Sequence, residues 1–190
     1  MGNELPDVPA VRVGCLKCYN HGHLVGEWFE ITDRRKGEFE DEIDDFMESH
    51  EYPASAEDGY PHEEWDVFDT IGIRPSLYTK VGLWHLIEVA DLMEEHGLAF
   101  ILWAEEHLQF VESGEAEDRF NSAFIGHFNE KEDFCREYFD RITGVPLDDW
   151  LRSYIDWETV YRDAHHGEFA IYEVVDDGAM SDRGIYVFNI

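Results

Sequence analysis

Apolar positions recur along this 190-residue chain with two different periods, and they divide it into strand-like and helix-like stretches. Residues from Arg12 to Tyr19 and from Leu24 to Ile31 predict a β-hairpin, with Asn20-His21-Gly22-His23 as its turn. Phe39, Ile43, Phe46, Met47 and His50 then fall at helical spacing and mark one face of an amphipathic helix. Its other face carries Glu38, Asp41, Glu42, Asp45 and Glu48. Tyr52 to Pro61, with two prolines and a glycine, predicts a loop. From Gly72 to Asp118 the pattern is helical throughout. Leu83, Leu86, Ile87 and Ala90 point inward and Glu88, Asp91 and Glu95 outward. Gly97 ends that helix. Ile101, Ala104, Leu108 and Val111 restart the pattern, with Glu105 and Glu112 on its outer side.

A third region opens near Arg119. Asn129 is a suitable N-cap with Glu132 three residues on, before Phe134, Cys135, Tyr138 and Phe139 on one face. Gly144-Val145-Pro146 stops that helix, and Trp157, Val160, Tyr161 and Ala164 mark another, capped by Asp156. Glu168 to Val174 and Gly184 to Ile190 predict two strands joined by a polar turn from Asp176 to Asp182. No internal repeat is visible. The expected fold class is α+β, in three regions after a short tail. Residues 1–10 form a tail, 11–71 an antiparallel sheet plus helix, 72–118 a central acidic helical domain, and 119–190 helices plus a small antiparallel sheet.

Charge changes the picture most. The chain holds 44 Asp and Glu against 14 Lys and Arg, a formal net charge of −30. Such a surface repels nucleic acid and anionic membranes and attracts basic surfaces. The acid is also placed in blocks. Residues 37–73 contain fourteen carboxylates and residues 81–118 ten, with no Lys or Arg in either block. Salt adaptation spreads acid over a whole surface; cation-free blocks suit a placed electrostatic face. Hydrophobic residues at 44% and aromatics at 15% still allow folded cores. The N-terminus lacks the basic patch and apolar run of a signal peptide, and Leu98 to Ala104 is too short to span a bilayer. Three cysteines make no disulfide framework and suit a reducing cytoplasm.

Motifs for chemistry are sparse. Cys15-x-x-Cys18-x-x-His21-x-His23 is rich in zinc-type ligands. Within a predicted strand, however, Cys15 and Cys18 are an odd number apart and point to opposite faces, so no metal is assigned. His165 and His166 suit a helix C-terminus better than a ligand pair. A phosphate loop, a nucleophile elbow and His-Glu-x-x-His are all missing, so neither catalytic residues nor a cofactor is assigned.

Three pieces of sequence, in order, resemble the ArdA family of antirestriction proteins. Val13 to Asn20, then Gly22, Leu24, Gly26 and Trp28, is similar to the family's opening Tyr-Asn-x-Gly-x-x-x-Gly-x-Trp hairpin. Leu83-Trp84 through Glu95 is similar to its acidic helical centre. Phe124 to Phe128, Glu132-Asp133-Phe134, Tyr154 to Glu158 with Arg162-Asp163, and the closing Tyr186-Val187-Phe188 are similar to its C-terminal signature. The first ten residues and the two turn histidines, His21 and His23, depart from the pattern. The resemblance implies three small α+β or α domains strung into an elongated, curved body that dimerises through its C-terminal region. It also implies a non-catalytic DNA mimic, carried on mobile elements, that binds type I restriction–modification enzymes in place of DNA.

The expected phosphate-mimicking groups are Glu38, Asp41, Glu42, Asp45, Glu48, Glu88, Asp91, Glu95, Glu105, Glu112, Glu115 and Asp118. Residues 147–163 fall where the family's antirestriction motif lies. There Trp150, Tyr154, Ile155, Asp156, Trp157 and Glu158 make up the expected dimer or antirestriction-motif region, and its apolar members, such as Trp150, Tyr154 and Ile155, are expected in core or dimer contacts rather than against the enzyme. Duplex DNA carries one charge per about 1.7 Å, so thirty surplus charges match roughly 50 Å of duplex. The competing expectation is an acidic adaptor or chaperone for basic nucleic-acid-binding proteins.

Overall fold

A computed structural model describes residues 8–49, 62–144, 148–175 and 183–190. His50, the expected loop from Tyr52 to Pro61, Val145 to Leu147, and the expected turn from Asp176 to Asp182 lie outside the described residues. The chain is α+β, and it divides into two compact units between Ala116 and Glu117.

The first unit begins with β1 (Ala10–Cys15), the middle strand of an antiparallel sheet that also holds β2 (Gly26–Glu30) and β3 (Trp65–Ile71), in the order β2-β1-β3. Every residue of β1 except Arg12 is buried, as a central strand requires. Gly14 has no room for a side chain, because a Cβ there would run into the Phe68 ring. β1 and β2 pair as the expected hairpin does, with Arg12 opposite Trp28. Their connection is not a simple turn. Residues Leu16–Asn20 form a short helix, α1, whose N-cap is Cys15. β3 is absent from the sequence-based expectation. Asp66 and Asp69 interrupt its apolar alternation, and an edge strand tolerates them because both face solvent.

α2 (Lys36–Ser49) buries Phe39, Ile43, Phe46 and Met47. The Phe29 ring of β2 meets the rings of Phe39 and Phe46 edge-on, at 5.8 and 5.9 Å between centroids, a favoured aromatic geometry. α3 (Pro75–His107) is not one continuous helix. It is broken at Gly82, with φ 76°, and at Gly97, with φ 53°, so the expected stop at Gly97 is present. Leu83, Leu86, Ile87, Ala90 and Met93 are buried in its middle segment, and every residue from Leu98 to Ala104 in its last. A short 3-10 turn, Leu108–Phe110, follows.

The second unit comprises α4 (Ala116–Ala123, its first residue at the boundary), β4 (Phe124–Phe128), α5 (Lys131–Thr143), α6 (Asp149–Arg152), α7 (Trp157–Gly167), β5 (Phe169–Val174) and β6 (Gly184–Asn189). The sheet order is β4-β6-β5, antiparallel, with β6 buried in the middle. Phe134 and Cys135 of α5 and Tyr161 and Ala164 of α7 pack with Phe169, Ile171, Ile185 and Val187 of the sheet. β4 was not expected either; its five residues are only partly buried or exposed. The N-cap of α5 is Glu130 rather than Asn129, and its side chain makes no capping bond. Gly144 closes α5 in the left-handed conformation, and Asp156 caps α7 by accepting the Thr159 N–H at 3.2 Å. His165 and His166 lie in the last turn of α7.

Candidate functional site

Burying four apolar side chains of α2 forces the remaining positions outward, so Glu38, Glu40, Asp41, Asp44, Asp45 and Glu48 are exposed and Glu42 half-buried. Seven carboxylates thus lie between Glu38 and Glu48, an axial run of about 15 Å. Their density, about one per 2 Å, is close to the one charge per about 1.7 Å of duplex DNA. Two of the seven are locally neutralised: Glu42 by Arg34 and Glu40 by Lys36 at 3.9 Å. Glu38, Asp41, Asp44, Asp45 and Glu48 pair with no described cation.

A second row runs along α3. Glu88, Asp91 and Glu95 follow Trp84 at intervals of four, three and four, which puts them in one stripe, and all three are exposed. This stripe adjoins the start of α2. The Asp33 N–H donates to Asp91 Oδ1 at 2.8 Å, the Lys36 ammonium sits over the Trp84 ring at 4.9 Å, and Phe39 meets Trp84 edge-on. Packing α2 on α3 through Phe39 and Trp84 therefore brings two acidic helix faces together.

The remaining expected groups divide. Glu105, expected on an outer face, is instead turned inward, 16% exposed, where Arg74 binds it at 3.0 Å and the Ser76 hydroxyl donates to it. Arg74 is the N-cap residue of α3, and the return of the chain at Gly97 brings the last segment back beside it. Glu112 and Glu115 are exposed in the turn after the 3-10 segment, where the Glu115 N–H donates to the Glu112 carbonyl. Asp118 is exposed in the first turn of α4, in the second unit.

The C-terminal motif residues separate in the same way. Trp150 and Tyr154 are 64% and 83% exposed, with their rings edge-on at 6.4 Å, so neither is a core residue of this chain. Ile155 is half-buried. Trp157 packs against the second core and meets Phe139 edge-on. Asp156 is occupied in capping. The Thr159 hydroxyl and N–H hold its carboxyl below the usual range. Glu158 is exposed.

One residue cluster overturns a sequence-based argument. Because α1 begins directly after Cys15, the chain leaves strand geometry there. Cys15 and Cys18 therefore converge, and the Cys18 N–H reaches Cys15 Sγ at 3.5 Å. His62, which sequence reasoning did not connect with them, places Nδ1 at 3.0 Å from Cys15 Sγ and 3.5 Å from Cys18 Sγ. Burial, with Cys15 alongside, pushes the Cys18 thiol up to about 11.

The chain matches the family model described as antirestriction protein (ArdA) over residues 11–178. It belongs to the ArdA antirestriction family. Members of the ArdA family are non-catalytic DNA mimics, and membership implies interaction with type I restriction–modification enzymes. No curated protein matches the chain significantly. Among the described residues, no helix is long and apolar enough to cross a membrane.

Proposed function

We propose that this ArdA-family chain blocks restriction by occupying the DNA-binding groove of a type I restriction–modification enzyme in the cytoplasm. The carboxylates of α2, continued by Glu88, Asp91 and Glu95 of α3, meet the Lys and Arg that otherwise neutralise phosphates. The observation that carries this reading is the α2 row: seven carboxylates over about 15 Å, of which the five that pair with no described cation give about one charge per 3 Å, close to the spacing of about 3.4 Å along one DNA strand. Glu112, Glu115 and Asp118 extend the contact as exposed acid elsewhere on the chain. Glu105 and Glu42, held by arginines, contribute least. The exposed Trp150 and Tyr154 support dimerisation through the C-terminal unit, since large aromatic side chains in water are typical interface anchors.

A phosphate mimic displays charge without base edges, so one inhibitor acts on enzymes of different target sequence. Titration against a preformed type I enzyme–DNA complex tests the proposal. The expected result is displacement of DNA at one-to-one stoichiometry per groove, weakening with salt and needing neither metal nor cofactor. A stable ternary complex with DNA fully bound would overturn it. So would substoichiometric inactivation that persists after the inhibitor is removed.

A further inference from the structure

We propose that Cys15, Cys18 and His62 form a binding site for one zinc-type divalent cation, with water in the fourth position. Their ligand atoms, two sulfurs and one imidazole nitrogen, all lie within 4.8 Å of one another. Zinc bonds of about 2.3 Å to sulfur and 2.0–2.1 Å to nitrogen, at tetrahedral angles, set a nitrogen–sulfur separation of about 3.6 Å. The Cys18–His62 distance of 3.5 Å already meets this value, and the Cys15–His62 distance of 3.0 Å needs to open by only about half an ångström.

Three features of the fold assemble this set. Cys15 is both the last residue of β1 and the N-cap of α1, which swings Cys18 back beside it. Pairing of β1 with β3 sets Cys15 opposite Trp65, and the Leu16 N–H donates to the Glu64 carbonyl at 3.0 Å, which brings His62 alongside. The His23 N–H donates to the Cys18 carbonyl, holding the chain after α1 against the same corner. Both cysteines are fully buried and His62 is half-buried.

The donor set selects the ion. Thiolate and imidazole suit zinc and other borderline-soft cations, whereas magnesium and calcium need oxygen. The surrounding acid therefore concentrates cations of every kind, but only this corner sorts them. Binding replaces two S–H bonds by two metal–sulfur bonds, releases two protons to solvent and changes no oxidation state. The bound ion would tie residues 15–18 to residue 62.

The motif Cys15-x-x-Cys18 with His21 and His23 contains the right chemistry but the wrong histidine at one position. His21 Nδ1 is 2.8 Å from the Lys17 carbonyl oxygen, at the far end of α1.

Cobalt(II) titration of the full reduced chain, in excess magnesium to occupy surface carboxylates, tests the site. The expected result is a thiolate-to-cobalt charge-transfer band with tetrahedral ligand-field absorption, saturating at one equivalent and erased by zinc. Cys18→Ser and His62→Ala lose the band, while Cys135→Ser and His21→Ala keep it. The wild-type spectrum decides the matter even if a variant does not fold. No thiolate charge-transfer band in the wild type overturns the proposal, as does a band that survives His62→Ala but not His21→Ala. Conversion of Cys15 and Cys18 to a disulfide, two hydrogens lighter, in protein that takes up no cobalt when reduced would also overturn it.

Discussion

Replacing Glu38, Asp41, Asp45 and Glu48 of α2 together by their amides should weaken enzyme binding and stabilise the fold at the same time. These four are exposed and pair with no described cation, so removing their charges breaks none of the described ion pairs. Within α2, carboxylates three or four residues apart form eight like-charge pairs, and the replacement removes seven of them. Each such pair costs about 0.2–0.5 kcal/mol, so relief amounts to roughly 1.5–3.5 kcal/mol at low salt. Glu38 lies near the favourable N-terminus of the helix dipole and Glu48 near the unfavourable C-terminus, so their dipole contributions offset.

Taking about 2 kcal/mol of relief, the melting temperature should rise by about 4–8 °C. The gain should shrink towards 1 M salt, where the Debye length of about 3 Å falls below the 5–6 Å spacing of the pairs. Binding should move the other way. At about half a kcal/mol for each exposed contact, four lost charges weaken binding by about 2 kcal/mol, or roughly thirtyfold. Displacement of labelled duplex from a type I enzyme, followed by fluorescence anisotropy, measures the second effect and calorimetry the first. Unchanged inhibition would remove α2 from the contact face. Weaker inhibition with a lower melting temperature would make the row structural. Full loss from one amide alone would point to a hot spot rather than a distributed charge match.

For the unmodified chain, the melting temperature should rise with added salt, because the carboxylates of α2 and α3 that pair with no described cation repel one another; a flat or falling calorimetric series would contradict this. Gly97→Ala should cost about 1–3 kcal/mol in a thermal melt, since φ 53° with ψ −134° is open almost only to glycine. Nothing lies within 4 Å of the added methyl, so this cost is backbone strain rather than a clash. Glu173→Gln tests a pH effect. The Lys131 ammonium at 2.7 Å, then the Tyr161 hydroxyl, hold the Glu173 carboxyl below its usual value of 4.5. Its contribution is therefore present above that value and lost as pH falls through the lower folded one. The variant should be less stable at pH 7, by at most about 1 kcal/mol because the pair is half exposed. The difference should close on acidification below about pH 4, read by urea denaturation.

The helices were largely legible because each carries its own signal. Phe39, Ile43, Phe46 and Met47 define a buried stripe whatever the stripe packs against, and the acidic residues of α2 follow from it by exclusion. Asp156 as the cap of α7 and Gly97 and Gly144 as breaks are local chemistry, readable from a few neighbouring residues. The family resemblance and the net charge together carried the antirestriction assignment, and neither depends on coordinates.

Strands β3 and β4 were not legible, because an edge strand is made by its partner rather than by its own pattern. Asp66 and Asp69 can sit in β3 because β1 supplies the hydrogen bonds and solvent takes the side chains. Pairing was likewise out of reach for Glu105, which looks like any outward carboxylate until Arg74, thirty-one residues away, is folded against it. The same holds for His62. Cys15 and Cys18 are visible in sequence as metal-ligand types, but a helix that starts immediately after Cys15 turns their sulfurs together, and β3 then delivers His62 across forty-four residues. Periodicity and composition report what a residue does to its near neighbours, so they determined the helices and the charge, while three motifs in order carried the family resemblance. Contacts between distant segments depend on closing loops whose geometry no local signal encodes, and only the tertiary structure decided those.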